Sequence, residues 1–423
     1  MRKILFVMVA ALAFVACEKD YQSVIEKTDL ETVVQNNKVS LKQALLYAEN
    51  SINGINPTTR SAERKVKSTE IYVAKPATRS AESTEVSFYL INYENNEGFA
   101  MVSTDSRATP VYAYSDEGNL TAEDFETNPG LQVFMSGAIP NYEDEIANYT
   151  TYDIGDNMWP IDIPDTLDDP RPISVDGVFC YINTDTTTMA VNKLLTTAWH
   201  QDEPYNVWIS SQWNLPYPSG CGPTAIAQIM AYYRHPSSHS DDTFGLVTYD
   251  WDLMRSNYRT DFPGNSDDTT ATDAISKLMY QIGYAAEAWP EDGKTFTHHY
   301  KIVEALNVFG YTSSNVVDFS YSIIKSQIDA NRPVYVAGDN PNTGIGHAWV
   351  IDGYTFEEKL SKYYYAEPPF NLYKRTSHTT RYFHCNWGTD VQGNGHTVNG
   401  LYLATGFIYT EDNQMIYNII PNN

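Results

Sequence analysis

Ser219-Gly220-Cys221-Gly222-Pro223-Thr224-Ala225, running on into Ile226-Ala227-Gln228-Ile229-Met230-Ala231-Tyr232-Tyr233, is the stretch that decides the fold. Pro223 suits the first turn of a helix, where its missing N–H leaves no hydrogen bond unmade. Ala225, Ile226, Ile229, Met230 and Tyr233 then recur at helical spacing along one face. The thiol therefore stands at a helix N-terminus, where unpaired N–H groups and the macrodipole favour the thiolate. The two flanking glycines let backbone or substrate come close to the sulfur. Taken alone, a free cysteine is more often a small packed hydrophobe than a nucleophile. Residues further along the chain change that balance.

Gly346-His347-Ala348-Trp349-Val350-Ile351-Asp352-Gly353 alternates as a strand does, with His347 at its start. Tyr382-Phe383-His384-Cys385-Asn386-Trp387-Gly388 is a second strand-like run and presents Asn386 beside Trp387. A thiol, an imidazole and an amide in that order are the parts of a cysteine-peptidase site. The imidazole takes the thiol proton and the amide oxygen holds the ring in orientation. Such groups meet only in the fold, so their separation in sequence is no objection.

These motifs resemble the streptopain-like secreted cysteine peptidases of bacteria, which have a papain-like fold. The resemblance runs from about residue 191 to the C-terminus. It includes Trp199-His200-Gln201-Asp202-Glu203-Pro204-Tyr205-Asn206, similar to the family's glutamine-containing segment. It implies that Gln201 and the Cys221 backbone N–H stabilise the oxyanion, that Asn386 orients His347, and that Trp387 shields that bond from water. No cofactor or metal is implied. The chain departs from the family pattern at Gly222-Pro223, where relatives commonly carry a larger residue and then alanine. It departs again after Trp387-Gly388, where Thr389-Asp390-Val391 replaces a second tryptophan and further glycine. The connection 354–382 is also longer than the family's, and is either a hairpin overhanging the cleft or a surface excursion. The second is favoured, since loops tolerate insertions.

Arg2 and Lys3 precede the apolar run Ile4 to Val15, too short to span a bilayer and shaped as a secretory signal. It ends in Phe14-Val15-Ala16-Cys17, which resembles a bacterial lipobox, so the expected product is an exported lipoprotein of the outer membrane or cell surface, lipidated on Cys17. A formal charge of −25 argues against nucleic acid and anionic headgroups as partners. Contact with the membrane is then expected through the lipid only. Setting Cys17 aside leaves Cys180, Cys221 and Cys385, an odd number that makes a disulfide framework a poor reading; a Cys180–Cys385 bridge is conceivable but unsupported.

The chain divides, on this reading, into a signal (1–16), a polar linker (17–83), a strand-rich prodomain (84–150), an Asp-, Pro- and Thr-rich connector (151–190) and a peptidase domain (191–423). The block from Val86 on, with Gly98-Phe99-Ala100-Met101-Val102-Ser103-Thr104-Asp105, resembles the inhibitory prodomain of the same family. The connector, with few periodic apolar positions, is expected to be exposed and open to the maturing cut. The other histidines, His298-His299 among them, form no zinc spacing and are read as surface or locally bonded. His384 shares a strand face with Asn386, while Asp352 points away from His347's face.

The expected fold is α+β: a papain-like peptidase domain behind a small strand-rich α+β prodomain. The expected function is a lipid-anchored cysteine endopeptidase made as a zymogen. It would act on proteins or peptides through Cys221 and His347, with its prodomain as intramolecular inhibitor. Two other classes fit the same motifs: an amidase or acyltransferase acting on cell-wall or isopeptide bonds, and an inactive surface-binding homologue.

Overall fold

Strand pairing organises the chain from Val39 onward, which forms one unit. The computed structural model describes residues 37–55, 64–74, 85–149, 173–175, 178–256, 270–365, 372–389, 397–407 and 413–422. The signal, Cys17 and most of the connector lie outside the described residues.

The front block supplies β1 (Val66–Val73), β2 (Ser87–Tyr93), β3 (Phe99–Ser103) and β4 (Val111–Ser115), paired antiparallel in chain order. Helix α1 (Leu41–Ile55) buries Ala44, Ala48 and Ile52 against this sheet, a stripe at i, i+4, i+8. Both α1 and β1 fall in the stretch expected to be linker. That expectation is corrected: the Leu41 helix and the Val66 strand are parts of the prodomain sheet and its covering layer. Helix α2 (Pro129–Asn148) follows, capped by Asn128, whose Oδ1 accepts from the N–H groups of Gly130 (2.9 Å) and Leu131 (3.2 Å).

The chain continues with β5 (Ile173–Val175) and β6 (Val178–Val191), then α3 (Cys221–Tyr233), α4 (Thr270–Ala285), α5 (His299–Val308), β7 (Val317–Asp318) and α6 (Tyr321–Asp329). Strands β8 (Val334–Asn340), β9 (Ile345–Tyr365), β10 (Leu372–Asn386), β11 (Gly400–Leu403) and β12 (Gln414–Ile416) complete it. The sheet runs β1-β2-β3-β4-β11-β10-β9-β8-β12-β7, so the prodomain and peptidase strands are continuous through the β4–β11 pair. Its two faces bury different cores. Ala348 and Val350 face α3 and α4 with Ile226, Ile229, Leu278 and Ile282, whereas Trp349 and Ile351 face Leu131, Phe134 and the prodomain. The period of two along a strand produces this division. Phe134 stands edge-on to Tyr402 at 5.0 Å, and Tyr402 edge-on to Trp387 at 5.1 Å, so the seam between the two parts is aromatic.

Within the connection 354–382, residues 354–365 and 372–382 prolong β9 and β10 as paired strands, register running from Tyr354–Phe383 to Tyr364–Leu372. Tyr365 lies eighteen residues beyond His347 on the same strand, roughly 50–60 Å away along an extended chain. The end of the connector is not an irregular stretch: β6 pairs with β9 from Cys180–Tyr365 to Val191–Tyr354. Its Thr184-to-Thr188 run gave no apolar alternation because residues 185–190 are exposed.

Candidate active site

Cys221 is the first residue of α3, and Gly220 before it has φ +94°, a conformation that glycine adopts without strain. The glycines serve packing as well as approach. A Cβ at Gly220 would come 3.2 Å from Thr295, and one at Gly222 would come 3.1 Å from Ile302 and 3.5 Å from the Tyr335 hydroxyl. Across from α3, β9 packs Ala348, the residue after His347, in the same core cluster as Cys221. Burial around the sulfur raises its pKa, opposed by N–H groups of Ala348, Gly222 and Cys221 itself, and reinforced by the Asp339 carboxylate.

His347 is 3 % exposed, and its Nε2 lies 2.7 Å from the Trp387 carbonyl oxygen. A carbonyl can only accept, so Nε2 carries the proton and Nδ1 keeps its lone pair. Burial depresses the imidazole to about 4, with the Trp387 carbonyl pulling the other way. The ring is neutral at neutral pH. Burial thus disfavours the charged form of both the thiol and the imidazole.

Asn386 was expected to orient His347, and in this arrangement it does not. Its Nδ2 donates to the Thr197 carbonyl (2.8 Å) and to Gln228 Oε1 (3.1 Å), and its Oδ1 accepts from Gln228 Nε2 (3.0 Å). The reason lies in α3: Gln228 is seven residues, two turns, beyond Cys221 and fully buried. Its Oε1 also takes Thr197 Oγ1 (3.0 Å) and the Trp199 N–H (3.1 Å). Gln228 is thus the polar hub joining α3, the Gln201 segment and Asn386. The signal was present in the sequence as one amide inside an apolar helix.

Gln201 is held by its backbone. Its carbonyl accepts from the N–H (2.7 Å) and hydroxyl (3.1 Å) of Ser219, two residues before Cys221. Trp387 packs between Trp349, tilted against it at 5.2 Å, and the edge-on Tyr402, with the His347 ring 6.4 Å away. Its carbonyl, rather than the indole's shielding of an Asn–His bond, is what meets the imidazole. His384 stays outside this group: its Nδ1 is 2.6 Å from Asp352 Oδ1, and the fully buried Asp352 also accepts from the Leu195 N–H. Cys385 is a free, buried thiol, so the Cys180–Cys385 bridge is not made.

The prodomain reaches this site. A Cβ on Gly130 would overlap the Trp387 ring and come 3.0 Å from His347 Cδ2. Asn128 Nδ2 donates to Thr389 Oγ1 (2.7 Å), and Asn340 Nδ2 to the Gln132 carbonyl (2.9 Å). The first turn of α2 is therefore pinned across the end of β9.

Comparison with known proteins agrees with this organisation. Residues 199–396 match the Peptidase C10 family, and residues 36–140 match the Spi protease inhibitor family. The thiol protease/hemagglutinin PrtT of Porphyromonas gingivalis is 25% identical over 425 residues, covering 92% of this chain and 42% of that protein. The chain thus spans about two fifths of that relative's length. Streptopain of Streptococcus pyogenes is 25% identical over 354 residues, 76% of this chain and 80% of its own. In fold, the chain is similar to a prointerpain A fragment of Prevotella intermedia, with a TM-score of 0.50 at 20% identity, covering 84% of this chain and 100% of that one. With its two halves matching these two families and their strands in one sheet, the chain is similar to the streptopain-like cysteine peptidases that carry an inhibitory prodomain.

Proposed function

We propose that the protein is a cysteine endopeptidase made as a zymogen, with Cys221 as nucleophile and His347 as its base. The observation that carries this reading is the thiol at the start of α3 beside the His347–Ala348 backbone, with the prodomain's Gly130 packed on His347 and Trp387. His347 donates from Nε2, so Nδ1 is the nitrogen able to take the thiol proton. The sulfur then attacks the peptide carbonyl. The Cys221 N–H and the Gln201 side chain stabilise the oxyanion, and the amine leaves with the proton from His347. Water, deprotonated by His347, cleaves the thioester. The Trp387 carbonyl orients the imidazole throughout, and Asn386 with Gln228 fixes the strand that carries Trp387.

In the latent chain the raised thiol and depressed imidazole keep the pair uncharged, which disfavours the thiolate. Departure of α2 uncovers Trp387 and His347 and removes the part of the burial that Gly130 places on the imidazole. The exported, Cys17-lipidated form is part of the same proposal. Labelled fatty acid should enter the wild-type protein and not a Cys17→Ser copy in cells.

The deciding experiment is intact mass of the purified protein under reducing conditions, with a casein assay, beside Cys221→Ala. Self-trimming and casein hydrolysis confined to the wild type support the proposal. Hydrolysis of cell-wall peptides or transfer to amines, with casein untouched, replaces it with amidase or acyltransferase chemistry.

A further inference from the structure

β10 and β11 run antiparallel, and their register ends at Cys385–Gly400, one step short of Asn386 and Asn399. Beyond that ladder a side chain takes the Trp387 N–H: Asn399 Oδ1 lies 2.8 Å from the nitrogen. Asn399 is buried, and its own N–H donates to Thr397 Oγ1 (3.1 Å). The next peptide group is bound at both edges. Its carbonyl, from Trp387, accepts from His347 Nε2 at 2.7 Å, and its N–H, from Gly388, donates to Asn386 Oδ1 at 3.2 Å. A peptide group is planar, so an N–H held at one edge limits where the carbonyl at the other can point.

We propose that Asn399 is a positioning residue for the base: by holding the Trp387 N–H it fixes the direction of the Trp387 carbonyl, and through it the His347 imidazole. This rests on the reading of His347 as the base of Cys221. The two amides hold Trp387 from both sides, Asn399 on the N–H before its Cα and Asn386 on the N–H after it. With one of them lost, the residue can rotate and the carbonyl swings away from the Nε2–H. The bond matters most once the ring has taken the thiol proton, because an imidazolium donates more strongly than a neutral imidazole. β11 is paired with β10 as well as with β4 of the prodomain, so the strand that follows Asn399 keeps a partner when the prodomain leaves. Asn399 also lines, with Asn386, His384 and Arg255, a polar cavity of about 350 Å³. Water can therefore reach the Trp387 N–H once the side chain is cut back, which spares the fold and loosens the carbonyl.

The test has two readouts. Enzyme self-trimmed from the full-length chain is assayed on casein across the pH range. Asn399→Ala should lower kcat about ten-fold with KM little changed. The alkaline limb, on which the imidazolium loses its proton, should move to lower pH by about 0.5 to 1. Asn399→Asp, which keeps the acceptor, should recover most of kcat. The second readout is proton NMR of the full-length chain carrying Cys221→Ala. There the His347 Nε2–H signal, found from its loss in His347→Gln, should move upfield in Asn399→Ala as its hydrogen bond weakens. Wild-type kcat, an unmoved signal, or an Asn399→Asp as slow as Asn399→Ala overturns the proposal. Circular dichroism identifies an Asn399→Ala that fails to fold, and Asn399→Leu, which fills the space without an acceptor, then decides. Casein hydrolysis that survives Cys221→Ala would instead overturn the nucleophile reading, whatever the NMR signal does.

Discussion

The Nε2 of His347 donates to the backbone carbonyl of Trp387 across 2.7 Å, and one prodomain residue, Gly130, lies against both rings. The imidazole's hydrogen bond and its contact with the front block therefore meet at the same two rings.

Gly130→Val should weaken latency. A side chain there cannot fit beside the Trp387 ring, so either α2 lifts or Trp387 and His347 shift. Overpacking of this kind costs about 1–3 kcal/mol, which would speed self-trimming by roughly 5- to 150-fold if it falls on the latent state alone. The half-time of processing, followed by gel at fixed protein concentration, reads it. An unaltered half-time in a folded variant would count against α2 as the inhibitory element.

Acid should loosen the latent form through His347. Its pKa is about 4 in the folded chain and ordinarily 6.5. The unfolded chain thus binds more protons between those values, and stability falls as pH drops through that window. The contribution is fully present above pH 6.5 and is lost toward pH 4, amounting to about 3 kcal/mol at most. The difference in unfolding free energy between wild type and His347→Gln, measured by urea titration at pH 7 and pH 4.5, should change in that direction. A difference independent of pH would mean that His347 is solvated in the latent chain.

How far the sequence announces this site depends on the reach of each interaction. Cys221, His347 and Trp387 stand in short runs whose spacing is local, so each can be proposed from its own run. The Gln228–Asn386 pair joins residues 158 apart, and nothing in either run states the other. Asn386 was accordingly given to His347, when the buried Gln228 outcompetes the imidazole for it. The Ala44, Ala48, Ile52 stripe was readable as an amphipathic helix, yet the polar residues around it placed it in a linker. β6 was unreadable for a different reason. A strand with exposed residues takes its order from main-chain pairing with β9, and main-chain pairing leaves no pattern in side chains.

Gln228→Leu should destabilise the peptidase part and impair catalysis together. It fills the space while removing the partner of Asn386, Thr197 and the Trp199 N–H. Buried groups left without partners cost about 1–3 kcal/mol each, so the melting temperature should fall by several degrees. Because Trp199 leads into Gln201, kcat should fall more than KM rises. A variant with wild-type melting and kcat would remove Gln228 from the support of the site.

The maturing cut should fall on the N-terminal side of Val178. Peptidases bind their substrates as extended chains, which requires a backbone not already paired. β6 is paired with β9 over the whole of residues 180–191, and β9 is held on its other edge by β10. Cutting inside β6 would require opening that ribbon first, whereas a cut before it leaves the sheet intact. β6 then stays as the leading strand of the mature peptidase, and its last residue delivers the chain to Leu194 and Leu195, whose N–H groups bond the carbonyl and carboxylate of Asp352. Losing β6 would also uncover the edge of β9 along residues 354–365, an open template for association with another strand. Intact mass of the large self-trimmed fragment, with N-terminal sequencing, gives the answer directly. A fragment beginning between residues 179 and 191 would mean that the ribbon opens before processing and that β6 belongs to the removable part.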